Sequence, residues 1–285
     1  MIRSMTGYGK SVFQLPNKKL SIEIKSLNSK NLDLNARMPS IYRERELDIR
    51  KLLAHELKRG KVDFSIYLET TGEATSSKVN QSMVAAYMSQ LNEVVEASQL
   101  ELIQMAIRMP DAVTTDRKDI DEEEWKVIFN EIKATLKKIQ AYRVQEGEAL
   151  EQDFKRRIET IAQLLEQVAA IDPERIEAVR ERLRKGIDEL KEKVDENRFE
   201  QELIYYIEKF DITEEKVRLK NHLEYFATSM ETPESNGKKL GFISQEIGRE
   251  INTIGSKANY APMQKLVVQM KDELEKIKEQ LLNVL

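Results

Sequence analysis

The chain contains no cysteine. Disulfides, thiolate metal sites, iron–sulfur clusters and cysteine nucleophiles are therefore excluded, and a reducing, cytoplasmic setting fits. Histidine is nearly absent as well: His55 and His222 are the only two, too few for a multi-histidine metal site. A bound metal would take oxygen ligands, which favours Mg²⁺ or Mn²⁺ over Zn²⁺. Aromatic residues make up 6% of the chain, so the expected core is mainly aliphatic. No apolar run approaches the roughly 20 residues that span a bilayer, and the opening residues carry no apolar secretory stretch. No membrane association is expected. There is no excess of positive charge either. Lys and Arg number 46 against 50 Asp and Glu, a net charge of −4, so contact with nucleic acid needs a local basic surface or a bridging metal. Also missing are a Walker-type loop, a dinucleotide fingerprint after a strand and a Gly-x-Ser-x-Gly elbow, so no nucleotide cofactor is expected.

What is present is a globular chain of 285 residues, 40% hydrophobic and 34% charged, long enough for one large or two modest domains. The first seventy residues read as mixed α and β. Residues 21–27 alternate, with Ile22, Ile24 and Leu27 inward and Glu23 and Lys25 outward. Leu32 and Leu34 continue a second strand. A helix over 43–58 places Leu47, Leu53 and Leu57 inward and ends at Gly60, and a strand over 61–69 follows. Thr6-Gly7-Tyr8-Gly9 reads as a turn, or as a backbone approach to phosphate.

Beyond residue 81 the pattern is almost entirely helical. One helix is expected over 81–100, and a long one from Asp121 that Pro173 breaks. The long stripe is interrupted at Arg143 and Glu146. That interruption is either a seam break or kink near Gly147, or two polar groups sharing a cavity. Val179, Leu183, Ile187, Leu190 and Val194 recur at coiled-coil spacing. Helices over about 196–210, 213–230, 237–255 and 262–284 complete the chain, with Asp211 and Thr213 as N-cap candidates. The expected fold class is α+β. A small mixed α/β N-terminal domain (1–155) leads through long helices and a coiled-coil-like arm (156–195) to an all-α C-terminal helical domain (196–285).

Chemistry concentrates in one segment, Gln245-Glu246-Ile247-Gly248-Arg249-Glu250-Ile251-Asn252-Thr253-Ile254-Gly255-Ser256-Lys257. At about 100° per residue, Glu246, Glu250, Thr253 and Lys257 fall within a strip about 60° wide beside the stripe of Leu240, Ile243, Ile247, Ile251 and Ile254. Two carboxylates one turn apart repel unless a cation sits between them, and Arg or Lys beside them can grip phosphate oxygens. On the preceding helix Glu215, Arg218 and His222 share a face. Carboxylates, cations and one imidazole on adjacent helices are the inventory of metal-assisted phosphodiester cleavage. A solvated, salt-bridged face accounts for the same residues.

Several segments carry a resemblance. In the N-terminal half they are Ser4-Met5-Thr6-Gly7-Tyr8-Gly9, Ile24–Asp33, Arg59-Gly60-Lys61-Val62 and Gln145–Leu150. In the C-terminal half they are Glu196-Asn197-Arg198, Asp211–Glu215 with Arg218-Leu219 and His222-Leu223, Gly237-Lys238-Lys239-Leu240 ahead of the segment above, and Lys278-Glu279-Gln280. Over essentially its full length the chain resembles the YicC/YloC family of bacterial endoribonucleases. It departs from the family's pattern at Ser29-Lys30, Gly241 and Gly248. The resemblance implies endonucleolytic RNA cleavage, a divalent cation and a ring-like homo-oligomer, a hexamer, that encloses RNA. On that reading Glu246 and Glu250, with Glu214 or Glu215, are the metal ligands. Arg249 and Lys257 grip phosphate, and His222 is the acid or base. Arg3, Lys25, Lys30, Arg37, Lys61, Arg143, Arg198, Arg218 and Asn252 contact RNA. A non-catalytic RNA-binding ring or chaperone-like protein is the alternative.

Overall fold

The computed structural model describes residues 2–70, 77–115, 120–189, 196–232 and 236–285. The chain opens with strands β1 (Gly7–Leu15), β2 (Lys18–Leu27) and β3 (Leu32–Arg37), a 3₁₀ turn at Ser40–Arg45 and helix α1 (Glu46–Leu57). Strand β4 (Gly60–Thr70) closes a sheet of order β1-β2-β4-β3, antiparallel except for the β3–β4 pair. A small appendage follows: β5 (Ser77–Val79), α2 (Gln81–Val94), α3 (Gln99–Ala106) and β6 (Val113–Thr115), with β5 and β6 paired. The rest is helical: α4 (Glu122–Glu189), α5 (Glu196–Lys209), α6 (Thr213–Met230), α7 (Gly237–Lys257) and α8 (Ala261–Leu281). The fold is α+β, as the residue pattern anticipates.

Strict alternation explains the sheet. Leu20, Ile22 and Ile24 of β2 and Val62, Phe64 and Ile66 of β4 are buried against Ile49, Leu53 and Leu57 of α1 and against Trp125, Ile128, Ile132, Leu136 and Ile139 of α4. Leu27 lies on the outward phase with Glu23 and Lys25 and is 56% exposed, contrary to expectation. Leu47 is likewise exposed, because the α1 stripe runs through Ile49, Leu53 and Leu57 at four-residue steps. The Thr6–Gly9 opening is not a turn: β1 starts at Gly7. A Cβ at Gly7 would lie 2.7 Å from Ile139 Cγ1, and one at Gly9 2.7 Å from the Thr135 carbonyl. These glycines let α4 lie directly on β1.

Two helix boundaries differ from the pattern. The stretch read as one helix over 81–100 is divided at Ser98, whose hydroxyl accepts from the Glu101 N–H while Glu101 accepts from the Ser98 N–H. This capping box starts α3. Pro173, by contrast, does not break α4, a continuous helix of 68 residues. Beside it the buried Asp172 accepts from Arg175, within α4, at 2.8 Å and from Lys216 of α6 at 2.7 Å. The Lys216 bond ties α4 to α6 where the proline removes an internal bond. Val179 and Leu183 of the expected arm are half-buried; Leu190, Val194 and the side chain of Ile187 lie outside the described residues.

A second core joins residues 154–168 of α4 to α6, α7 and α8, and Phe154 meets Phe226 edge-on at 6.0 Å. The first and last described residues meet beside it. Met5 N–H donates to Asn283 O at 2.7 Å, Leu285 N–H to Arg3 O at 2.9 Å and Ser4 N–H to Arg143 O at 3.0 Å, and Ile2 is buried in the helical core. The seam of α4 continues here through Arg143 and Gly147 rather than Glu146, which is exposed. Arg143 alone of that pair faces the polar interior.

Candidate functional site

Helix α7 buries Leu240, Ile243, Ile247, Ile251 and Ile254. Two of its glycines have packing roles: a Cβ at Gly248 would sit 3.2 Å from Leu274 Cδ2, and one at Gly255 3.0 Å from Val267 Cγ1, whereas one at Gly241 would meet nothing within 4 Å. The Thr253 and Ser256 hydroxyls donate to carbonyls one turn back, to Arg249 and Thr253. The cluster of poor helix formers is thus satisfied within the helix and against α8.

The strip beside the buried stripe has two unlike ends. Lys257 donates to Glu215 Oε1 at 2.7 Å and to the Asp211 carbonyl at 2.9 Å, pinning the end of α7 to the start of α6. Glu215 is buried, and its Oε2 has no hydrogen-bond partner. Asp211 accepts from the Thr213 hydroxyl and N–H, and those bonds hold its carboxyl below the usual range. Glu214 pairs with Arg218 on the exposed side. The other end, about 10 Å along the axis at 1.5 Å per residue, holds Glu250 and Glu246. Glu246 accepts from Arg249 at 2.7 Å, and the Arg249 side chain is 71% exposed. Glu250 is only 8% exposed and has no hydrogen bond or ion pair with any described residue. His222 is half-buried on α6, with no polar contact to Glu246, Arg249 or Glu250.

Among the described residues, no three of His, Asp or Glu lie close enough together to hold a metal ion. A cation at Glu246 and Glu250 would draw its remaining ligands from water and phosphate. That is how Mg²⁺ is commonly held, with one or two carboxylates and several waters.

The remaining cations are dispersed. Lys25, Arg37 and Lys61 share the outward face of the sheet, where Lys25 lies opposite Asp63, and Lys61 lies opposite Leu27 and Asp33. Lys30, Arg198, Arg218 and Asn252 are exposed elsewhere. Arg3 and Arg143 do converge, on a cavity of about 880 Å³ where the chain's first residues, α1, α4 and the start of α7 meet. Lys58, Arg59, Lys137 and Lys238 line it too, and the residue-by-residue reading passed over all four. Arg59 and Lys238 lie inside two of the segments that carried the resemblance. No sequence spacing, however, shows that positions 3, 58, 137 and 238 share one wall.

Lys257→Met would leave Glu215 as a buried carboxylate without its cation, an expected loss of about 3–5 kcal/mol. The double variant Glu215→Gln/Lys257→Met is expected to lose clearly less. Urea unfolding of both checks this, and equal losses would reject the pair as a structural clamp.

Among the described residues no helix is long and apolar enough to cross a membrane. Two family profiles match the chain: "Endoribonuclease YicC-like, N-terminal region" over residues 2–152 and "Endoribonuclease YicC-like, C-terminal" over 168–285. The chain is 32% identical to "Probable endoribonuclease YicC" of Clostridioides difficile (strain 630) over 293 aligned residues, with all of both chains covered. It is 28% identical to the protein of that name from Haemophilus influenzae (strain ATCC 51907 / DSM 11121 / KW20 / Rd), again with all of both chains covered. With both halves matched and the second of these relatives spanned as fully as the first, the chain belongs to the YicC-like endoribonuclease family.

Proposed function

We propose that this protein cleaves RNA phosphodiester bonds internally, in RNA turnover or processing, with Mg²⁺ or Mn²⁺ held at Glu246 and Glu250. Membership of the family supports the reaction class. One observation carries the placement: the Glu250 side chain packs against the protein with no partner among the described residues, one turn from a second carboxylate. Its carboxylate oxygens are not enclosed, so a cation can reach them, and no described side chain competes for them. A divalent ion bound there supplies charge neutralisation at phosphate and a more acidic water. Arg249, exposed and held only by Glu246, is placed to exchange that carboxylate for a phosphate oxygen. His222 is the acid or base of this reading, and Lys257 fixes Glu215. Arg218, Arg198 and Asn252 lie on the exposed surface of the same helical half, and Lys25, Lys30, Arg37 and Lys61 on the sheet domain, as RNA contacts, while Glu214, offered as a metal ligand, is paired with Arg218 instead. A ring-like homo-oligomer, a hexamer, and a cytoplasmic location belong to the same proposal.

One observation favours the rival, a ring that binds RNA without cutting it: Glu246 is already neutralised by Arg249. An internally labelled structured RNA separates the two. Internal cuts that require Mg²⁺ or Mn²⁺ and stop in EDTA support the nuclease. A mobility shift with no cuts under any cation rejects it.

A further inference from the structure

The cavity where the chain's first residues meet α1, α4 and α7 lies apart from Glu246 and Glu250. Five of its cations, Lys58, Arg59, Lys137, Arg143 and Lys238, form no ion pair with any described residue. Two carboxylates face these cations: Glu56, which already accepts from Gln140 at 2.7 Å and from His55 at 3.2 Å, and the main-chain carboxylate of Leu285. Such a grouping leaves a strong local positive potential in a chain of negative net charge.

Arg143 is the sharpest sign. It is 3% exposed, and its terminal nitrogens donate to the Met5 and Leu57 carbonyls and the Ser26 hydroxyl. Its Nε–H, however, is buried with no acceptor, and so is that of Arg59. Burial alone pulls the Arg143 guanidinium down to about 10 and lowers that of Arg59. Arg143 thus remains charged at neutral pH. A largely buried guanidinium that lines a cavity, with no ion pair to any described residue, favours an anion there. Lys58 adds to the case: its φ of 57° and ψ of −51°, with Arg59 N–H donating to Leu57 O at 2.6 Å, form a tight, strained turn on the cavity wall.

We propose that this cavity binds a ribonucleotide phosphomonoester, the terminal phosphate of an RNA chain or the same group on a free nucleotide. A monoester carries close to two negative charges near neutral pH, against one for a backbone diester, so it matches several unpaired cations better. About 880 Å³ is far more than a lone phosphate needs and lies within the range of small-ligand sites. Arg59, which donates from one terminal nitrogen to the Val284 carbonyl, keeps the other for a phosphate oxygen, and Lys58 and Lys137 add point charges. The RNA source, though not the pocket, rests on the nuclease reading.

The test uses the full chain carrying Glu250→Gln, so that cleavage does not consume the probe. Binding of adenosine monophosphate and of a short oligoribonucleotide, with and without a terminal phosphate, is measured by calorimetry at two salt concentrations. Saturable, salt-sensitive binding of the phosphorylated probes is expected, at least tenfold tighter than the hydroxyl-ended oligonucleotide. A tenfold or greater loss is expected in Lys58→Gln/Lys137→Gln and in Arg59→Gln, each with an unchanged melting profile. Binding of the phosphorylated oligonucleotide alone identifies RNA ends as the source, and binding of the mononucleotide identifies free nucleotide. Equal affinity for phosphorylated and hydroxyl ends, no saturable binding, or unaltered binding in both variants would overturn the pocket. A failure of the nuclease reading shows instead in the parent chain's RNA cuts, which this binding assay does not use.

Discussion

Glu250→Gln is expected to lower RNA cleavage by about 10²–10³-fold, the scale of removing one preorganised electrostatic group from an active site. It is also expected to leave stability nearly unchanged. Both follow from one fact. Glu250 has no hydrogen bond or ion pair with any described residue, and its carboxylate oxygens are not enclosed, so a neutral amide of the same shape removes no structural contact. A residue whose neutralisation spares the fold while lowering the reaction serves the reaction. Glu246→Gln separates the two members of the pair. That carboxylate is 40% exposed in its side chain and pairs with Arg249 on the surface, so its loss is worth little to stability. Single-turnover cleavage of labelled RNA over a Mg²⁺ or Mn²⁺ titration gives the rate, and urea unfolding gives the stability. Full cleavage by Glu250→Gln would remove Glu250 from the site. A large loss of stability would mean that it has a partner inside the protein.

The elements set by local periodicity were legible in the residues. The alternation of Leu20, Ile22 and Ile24 and the stripe of Ile243, Ile247, Ile251 and Ile254 each define one buried face without reference to anything distant. The margin position of Glu250 followed from the same arithmetic. Features that depend on a remote partner were not legible. Pro173 reads as a helix breaker until Asp172 is seen joined to Lys216 of α6. Gly7 and Gly9 read as turn residues until α4 is laid across them. Arg143 reads as a flaw in an apolar seam, because its acceptors on Met5, Ser26 and Leu57 lie 86 or more positions away. The basic cavity belongs to this second class. Its walls come from five separated stretches of chain, and none is notable alone in a sequence rich in lysine and arginine.

Gly147→Ala is expected to destabilise the protein by about 3 kcal/mol or more, against the sign of helix propensity. Inside a helix, Ala is favoured over Gly by about 1 kcal/mol, so an exposed Gly147 would give a more stable variant. Here a Cβ would lie 2.1 Å from the Ile2 carbonyl oxygen, 2.7 Å from its carbon and 2.9 Å from Arg3 Cα. Those atoms are backbone and cannot rotate away, so the first residues must lift from α4. Lifting exposes Ile2, worth about 1.5–3 kcal/mol of apolar burial. It also breaks the bonds from Ser4 to Arg143, Met5 to Asn283 and Leu285 to Arg3, at about 1 kcal/mol each. These losses exceed the propensity gain. The same movement takes the Met5 carbonyl from Arg143 and shifts Arg3 on the cavity wall, so phosphomonoester binding is expected to fall with stability. No hydrogen bond or ion pair among the described residues joins the Glu246–Glu250 turn of α7 to that segment, and cleavage by the folded fraction is expected to persist. Urea unfolding and hydrogen exchange at Ser4, Met5 and Leu285 measure the two structural effects. A stabilised Gly147→Ala protein with protected amides at those three positions would show that the opening residues do not dock on α4.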